Sequence, residues 1–520
     1  MDKTAAARRL ELFGWVLAII ACTFVVSLFN HGPVPSMEPR FAEAVREMTA
    51  RGNWLVPIKN GVPYIEYPPL YFWLGCILHS IGLPLVVAIR LPGYLAFFLW
   101  LFWLARLQGL LFPTWPRFLL PLAGIGIPVV VYNFLVAQSD SLLTLGIVIA
   151  FTGYLRLPRH RPPQRFAWEM WLGICLATAA KGPVGMAITL PAMGLDRWIW
   201  GTGEDSGLRG WFARGLRAAW ELQPIRGLAL VLAVTVPWYI AAGLTEGWDY
   251  VYANLVYQNF SRFTTGFSHE HAWYFYFIDF WGDFFPLAFL APIGLVAAFR
   301  ARDVGARAMA IWFLWTFLFF TVSMSKQGKY IMPSAPAVAA LAIFGVRYFW
   351  DDPVRARLTA AIKSWSAVFA LAIAAVVLIV VPMRRESIGG VAGFRQIQHL
   401  VAKDPGRIVS YGWPRSMTLY ELGYPMPFVR TPRELYARVA DGRIKAGDYL
   451  LTDRDALDTA LFNAQPLVPV PAPPRFEKIA EIDAEKPMVL YRVLPGAAAL
   501  PPPPTAEPPE LPWWAEFDTD

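Results

Sequence analysis

"FGWVLAIIACTFVVSLFN", residues 13–30, is an unbroken apolar run, and "SMEPRFAEAVREM", residues 36–48, follows it almost at once with five charged side chains. A helix rises about 1.5 Å per residue, so a run of this length matches the roughly 30 Å hydrocarbon core of a bilayer. Lipid offers backbone groups no partner, which leaves helices or closed barrels as spanning elements, and the run is too long and unalternating for a barrel strand. The chain therefore crosses a membrane here and emerges into a polar segment.

Further apolar runs recur at 86–105, 118–134, 141–155, 166–180, 183–200, 227–244, 275–298, 308–324, 332–348 and 364–382. They predict a mainly α, polytopic membrane protein with eleven to thirteen transmembrane helices. The composition agrees: of 520 residues, 56% are hydrophobic and only 16% charged, and the mean hydropathy of +0.41 excludes an ordinary soluble enzyme. The net charge of +8 does not imply nucleic acid, because Lys and Arg fall in short clusters between apolar runs and form no single stripe. Cys22, Cys76 and Cys175 each sit alone in an apolar run without CxxC spacing, which implies neither disulfides nor a cysteine metal site. Lys3, Arg8 and Arg9 precede the first run as in a signal peptide, but no small-residue cleavage pattern follows, so the run reads as a retained helix.

Basic residues concentrate in alternate loops, as at Arg156, Arg159, Arg161 and Arg165, and again at Arg197, Arg209, Arg214, Arg217 and Arg226. With the N-terminus cytoplasmic, these loops are cytoplasmic and their basic residues outnumber those outside, as the positive-inside rule requires. Counting "PPLYFWLGCILHSIG" (68–82) as a full span would move the 156–165 cluster outside, so it reads as a short or re-entrant helix at the outer surface. Residues 1–382 thus form a transmembrane domain, with 31–84 a first periplasmic loop carrying surface helices and 245–274 a second loop. Beyond it, "RIVSYGWPRSMTLYELGYPMPFV" and "KPMVLYRVL" alternate β-rich and helix-prone pieces, predicting a small periplasmic α/β domain over 383–494. The tail 495–520 is proline-rich.

That topology places Glu38, Arg40, Glu66, Asp140, Lys181, Arg262, His269, His271, Lys326 and Lys329 outside or at the outer ends of helices. Ionisable groups at membrane depth are costly, and several at one level mark a functional site. Each residue also has a plainer reading. Glu38, beside Pro39 at the start of an amphipathic helix bearing Phe41, Val45 and Met48, is either functional or simply a favourable charge on the helix dipole. Glu66 lies between aromatics and a Pro-Pro break, or is a solvated loop residue. Asp140 opens a span, where it is a catalytic acid or a helix cap. Lys181 occupies the tight turn "TAAKGPVG", where it binds an anion or snorkels. "SKQGKYIMPSAP" offers Lys326 and Lys329 between two spans, a shape suited to gripping phosphate. His269 and His271 form an H-x-H pair that chelates a metal only in extended backbone.

Taken in order, "MEPRFAEAVREM…GNWLVP…NGVPYIEYPPLYFWL", "SDSLLTL", "AAKGPVG", "NFSRF…WYFYF…FFP", "SKQGKYIMPSAP" and "RSMTLYELGYP" resemble the GT-C superfamily of polyprenyl-phosphate-sugar glycosyltransferases. Within it they look most like the bacterial branch that includes lipid A aminoarabinose transferases and is related to protein O-mannosyltransferases. The resemblance covers nearly the whole chain. It implies a multi-pass enzyme of the bacterial inner membrane, acting as a monomer, with a periplasmic active site between an undecaprenyl-phosphate sugar donor and a lipid A, glycan or protein acceptor. It implies catalytic roles for Glu38 and Asp140, substrate binding by Arg40, Lys181, Arg262, Lys326, Lys329 and Tyr330, and a divalent metal, zinc or magnesium, held by Glu66 with His269 or His271. The family's first motif reads Asp-Glu where this chain has Met37-Glu38. Either Glu38 takes over or the reaction does not need that carboxylate. A sugar hydroxyl must lose a proton to attack an anomeric carbon, whereas a phosphate monoester is already ionised. A transporter or flippase would also place charges in a membrane cavity, but it calls for midplane charges and inverted repeats, and the sequence has neither.

Overall fold

The computed structural model describes residues 3–34, 37–116, 118–159, 165–200, 207–265, 270–301, 303–387, 390–430, 432–453, 476–482 and 487–494. The expected proline-rich tail and His269 lie outside the described residues. The chain divides into two compact units: Met1–Phe29, Asn53–Pro57 and Tyr64–Val377 form the first, and Asn30–Gly52, Ile58–Pro63 and Leu378–Asp520 the second.

The first unit is helical. Six described helices are long and apolar enough to cross a membrane: Glu11–Asn30, Leu85–Leu111, Pro224–Glu246, Val304–Val322, Gly328–Phe349 and Asp352–Glu386, the last running into the second unit. Phe275–Asp283 and Leu287–Ala301 would make a seventh, broken by a 111° bend. Other expected spans take the form of shorter or divided helices. The run 118–134 splits into Leu119–Ile125 and Pro128–Leu135, because Gly126 ends one helix and Pro128 suits only the first turn of the next. Leu70–Ser80 is an apolar helix of 11 residues, too short to cross. The chain is a multi-pass membrane protein.

Small residues let these helices approach closely, which matters in lipid, where no hydrophobic force drives helices together. The helices Asp140–Leu155 and Trp168–Lys181 meet over Gly146, where an added Cβ would lie 2.6 Å from both the Ala177 nitrogen and the Gly173 oxygen. Overpacking at such a contact costs about 1–3 kcal/mol. Gly146→Ala is therefore expected to lower the Tm of the detergent-solubilised protein by several degrees. Gly109→Ala, where an added Cβ meets nothing within 4 Å, should leave it unchanged.

The second unit holds a five-stranded mixed sheet in the order Phe428–Val429, Ile408–Tyr411, Tyr449–Asp453, Met488–Val493, Phe476–Ile482. The first two pairings are parallel and the last two antiparallel. Helix Val391–Lys403 buries Phe394 and Ile397 in one core with Ile408, Tyr449 and Leu490. The C-terminal segment is thus the small sheet domain expected.

Helix Glu38–Arg51 belongs to this unit, and here the structure corrects a sequence expectation. Phe41, Val45 and Met48 are buried, but so are Glu38, Glu43 and Glu47, the acids of the helix expected to be amphipathic. Asn60 explains part of this: it exchanges hydrogen bonds with the Met426 backbone, at 3.0 and 2.6 Å, and the Asn60 and Gly61 N–H groups donate to Glu47. Glu43 pairs with Arg46, which reaches the Leu419 carbonyl. Burial nevertheless pushes the Glu43 carboxyl up to about 8, with Arg46 opposing the shift. A carboxyl raised in the folded state binds a proton the unfolded chain has released, so stability falls as pH rises from the ordinary carboxylate range to about 8. Glu43→Gln removes that dependence. Melting of this unit, followed between pH 5 and 9, is expected to lose stability with rising pH in the natural protein and to stay flatter in the variant.

Candidate functional site

The first unit contains a cavity of about 340 Å³, and five of the residues singled out by sequence line it: Glu66, Asp140, Lys181, Arg262 and Tyr330. Its remaining wall is largely apolar, with Leu143, Val184, Phe260, Phe263, Phe319 and Phe320. Gln258, Asn259, Ser323 and Ser325 add uncharged polar groups.

Asp140 is the first residue of its helix and 1% exposed. No side-chain cap hydrogen bond forms at that terminus; the carboxylate instead accepts from Lys181 Nζ at 2.5 Å, with Lys329 Nζ 4.0 Å from its other oxygen. An acid in the first turn is also favoured by the helix dipole. Lys181 closes the preceding helix, and Gly182 makes the turn with φ +75, a conformation that favours glycine. The Lys181 ammonium lies 5.8 Å from the Tyr67 ring centre and 5.0 Å from that of Tyr330, a cation–π setting that holds a charge in apolar surroundings.

Lys329 donates to Gln138 Oε1 at 3.2 Å, and Gln138 is itself fixed by donation to Asn133 Oδ1 at 2.6 Å. Arg262 follows the π-helix Tyr252–Ser261 and donates to Gln258 Oε1 at 3.2 Å. Asn254 and Tyr250 donate to the Ile65 and Tyr64 carbonyls, at 2.8 and 3.3 Å, and so anchor the segment bearing Glu66.

The other expected residues are placed differently. Lys326 is 3% exposed and gives its ammonium to the backbone carbonyls of His271 (3.1 Å) and Ser323, and it is not among the cavity-lining residues. The exposed His271 ring stacks on Phe275 at 4.4 Å. No three His, Cys, Asp or Glu side chains gather as metal ligands among the described residues. Glu38 and Arg40 sit on Glu38–Arg51 in the second unit, where Glu38 Oε2 accepts the Val34 N–H at 2.7 Å.

Sequence reading missed Tyr67, Gln138 and Gln258. The signal existed for Gln138, an amide in the otherwise apolar run before "SD" in "NFLVAQSD", but an amide carries no charge to flag it, and Tyr67 reads as one more interfacial aromatic.

Comparisons with known proteins agree with this architecture. No family model matches the chain. It is 25% identical over 351 residues to the undecaprenyl phosphate-α-4-amino-4-deoxy-L-arabinose arabinosyl transferase 1 of Pseudomonas fluorescens, covering 65% of this chain and 58% of that protein. It is 26% identical over 328 residues to the corresponding Erwinia tasmaniensis transferase, covering 60% and 55%. The chain thus matches less than three fifths of the length of these curated relatives. In structure it is similar to ArnT from Cupriavidus metallidurans bound to undecaprenyl phosphate, with a TM-score of 0.70 at 19% identity over 93% of this chain and 99% of that one. This likeness shows the fold.

Proposed function

We propose, on the premise that the chain has the GT-C fold of ArnT and related sequences named as arabinosyl transferases, that it is an integral membrane glycosyltransferase. It moves a sugar, 4-amino-4-deoxy-L-arabinose on the strength of those relatives, from undecaprenyl phosphate to lipid A or another periplasmic acceptor. The observation that carries this reading is the cavity itself. Lys181 and Arg262 line it, Lys329 flanks Asp140, and the remaining wall is mostly apolar, which suits a ligand with a phosphate at one end and a polyprenyl chain at the other.

In the proposed single displacement an acceptor oxygen forms a bond to the anomeric carbon as the bond from that carbon to the donor phosphate breaks. The electron pair leaves on undecaprenyl phosphate, and configuration inverts. The barrier falls chiefly where cations meet the negative charge developing on the leaving phosphate, and this is the work of Lys181, Lys329 and Arg262, with Tyr330 beside them. Asp140 holds the two lysines in place. We assign no general base: an acceptor phosphate needs no deprotonation, which accommodates Met37, and Glu38 is engaged through Oε2 with Val34. No step is routed through a metal: no three His, Cys, Asp or Glu side chains gather among the described residues, and His269 lies outside them. Residues 1–382 form the catalytic domain, and 383–494 with the tail 495–520 lie in the periplasm of a bacterial inner membrane, with the N-terminus cytoplasmic. That orientation rests on the basic loops.

The test is reconstituted protein given undecaprenyl-phosphate aminoarabinose and lipid A, with product followed by mass spectrometry. Transfer to lipid A supports the proposal, and intact donor with folded protein overturns it. Met37→Asp is expected to add activity toward hydroxyl acceptors while leaving transfer to phosphate acceptors within a few-fold, measured as kcat/KM on each class.

A further inference from the structure

Helix Gly207–Glu221, "GLRGWFARGLRAAWE", is amphipathic twice over. One face packs on the helix Val184–Trp200. Trp198 Nε1 donates to the Trp211 carbonyl at 3.0 Å, the two indole rings are 4.1 Å apart, Ala218 is buried, and a Cβ on Gly215 would lie 3.2 Å from the Trp198 ring. The C-terminal end is pinned: Glu221 pairs with Arg197, and Trp171 Nε1 donates to the Leu222 carbonyl at 2.9 Å. The helix therefore has a set rotation.

The opposite face carries Phe212, Leu216 and Trp220, four residues apart and exposed at 65, 73 and 59%. Three large apolar side chains in one exposed row are not a random surface feature. The row is followed along the chain by Ile225, 67% exposed at the start of the spanning helix Pro224–Glu246, on which Leu232 and Leu244 are exposed too. The same short helix carries Arg209 and Arg214, with Arg226 just beyond.

We propose that this helix is a lipid-binding element: the Phe212–Leu216–Trp220 row seats in the membrane interface, and the adjacent arginines hold the phosphates of anionic phospholipids. The occupant follows from complementarity. An exposed apolar row that leads along the chain into a spanning helix, bordered by guanidinium groups, matches acyl chains beneath anionic headgroups. Guanidinium forks bind phosphate in two-point fashion, and aromatic residues settle at the headgroup level.

Two measurements on the full-length protein test this. Native mass spectrometry in detergent, with phosphatidylglycerol and phosphatidylcholine as probes, is expected to show phosphatidylglycerol retained roughly fivefold better, with the preference lost in Arg209→Gln/Arg226→Gln. A nitroxide on Leu216→Cys, in a Cys22→Ser background because Cys76 and Cys175 are buried, should meet oxygen more often than a nickel chelate in vesicles of the two lipids. Equal retention of both lipids by the natural protein overturns the proposal, as does an undiminished preference in the variant. So does a label reached mainly by nickel, which places the row in water, or by neither reagent, which places it under protein.

Discussion

Asp140→Ala is expected to lower sugar transfer by about a hundredfold or more. The carboxylate is 1% exposed, accepts from Lys181 Nζ at 2.5 Å and lies 4.0 Å from Lys329 Nζ. Its removal takes away the carboxylate that Lys181 Nζ donates to and that lies close to Lys329 Nζ, so the two ammonium groups are no longer drawn to one point. Positive charge is then less well placed where the donor phosphate would develop its negative charge. Breaking a buried ion pair by deleting one partner also destabilises by about 3–5 kcal/mol. Asp140→Asn serves as the second variant: it keeps the shape and an acceptor oxygen for Lys181, so it should fold, while still losing transfer through the lost charge. Rates would be compared at equal amounts of monodisperse protein with Tm measured alongside. Natural rates in both variants would remove Asp140 from the proposed mechanism.

Lys181→Met is expected to cost about as much in kcat/KM, roughly a hundredfold. Methionine keeps an aliphatic stem but not the ammonium that lies over the Tyr67 and Tyr330 rings, so loss of activity reports charge more than packing. If Lys181 grips the donor phosphate in the ground state and more strongly as it leaves, KM for the donor rises and kcat falls together. Lys181→Arg restores charge with a different, planar geometry and should recover only part of the rate. A rise in KM alone would assign Lys181 to donor binding and exclude it from the chemical step.

Several parts of the site were legible because a charge inside an apolar run is costly and stands out. Glu66, Asp140, Lys181 and Arg262 were all visible in this way, and all four line the cavity. What the sequence does not contain is who meets whom. Asp140 and Lys181 are 41 residues apart, and Lys329 and Gln138 are 191 apart, so no periodicity links them. The same limit explains Lys326, which looked equivalent to Lys329 in "SKQGKY" yet turns its ammonium to the carbonyls of Ser323 and His271.

Sequence by itself determined the class of molecule: the apolar runs and the β-rich C-terminal segment follow from local composition, because hydropathy over about 20 residues decides whether a helix can live in lipid. Only tertiary structure decided that the helix Glu38–Arg51 buries its carboxylates, and that lysines from two different helices converge on Asp140. Hydropathy is a property of a segment, whereas an ion pair or a buried carboxylate exists only once distant segments supply the partners that offset its desolvation.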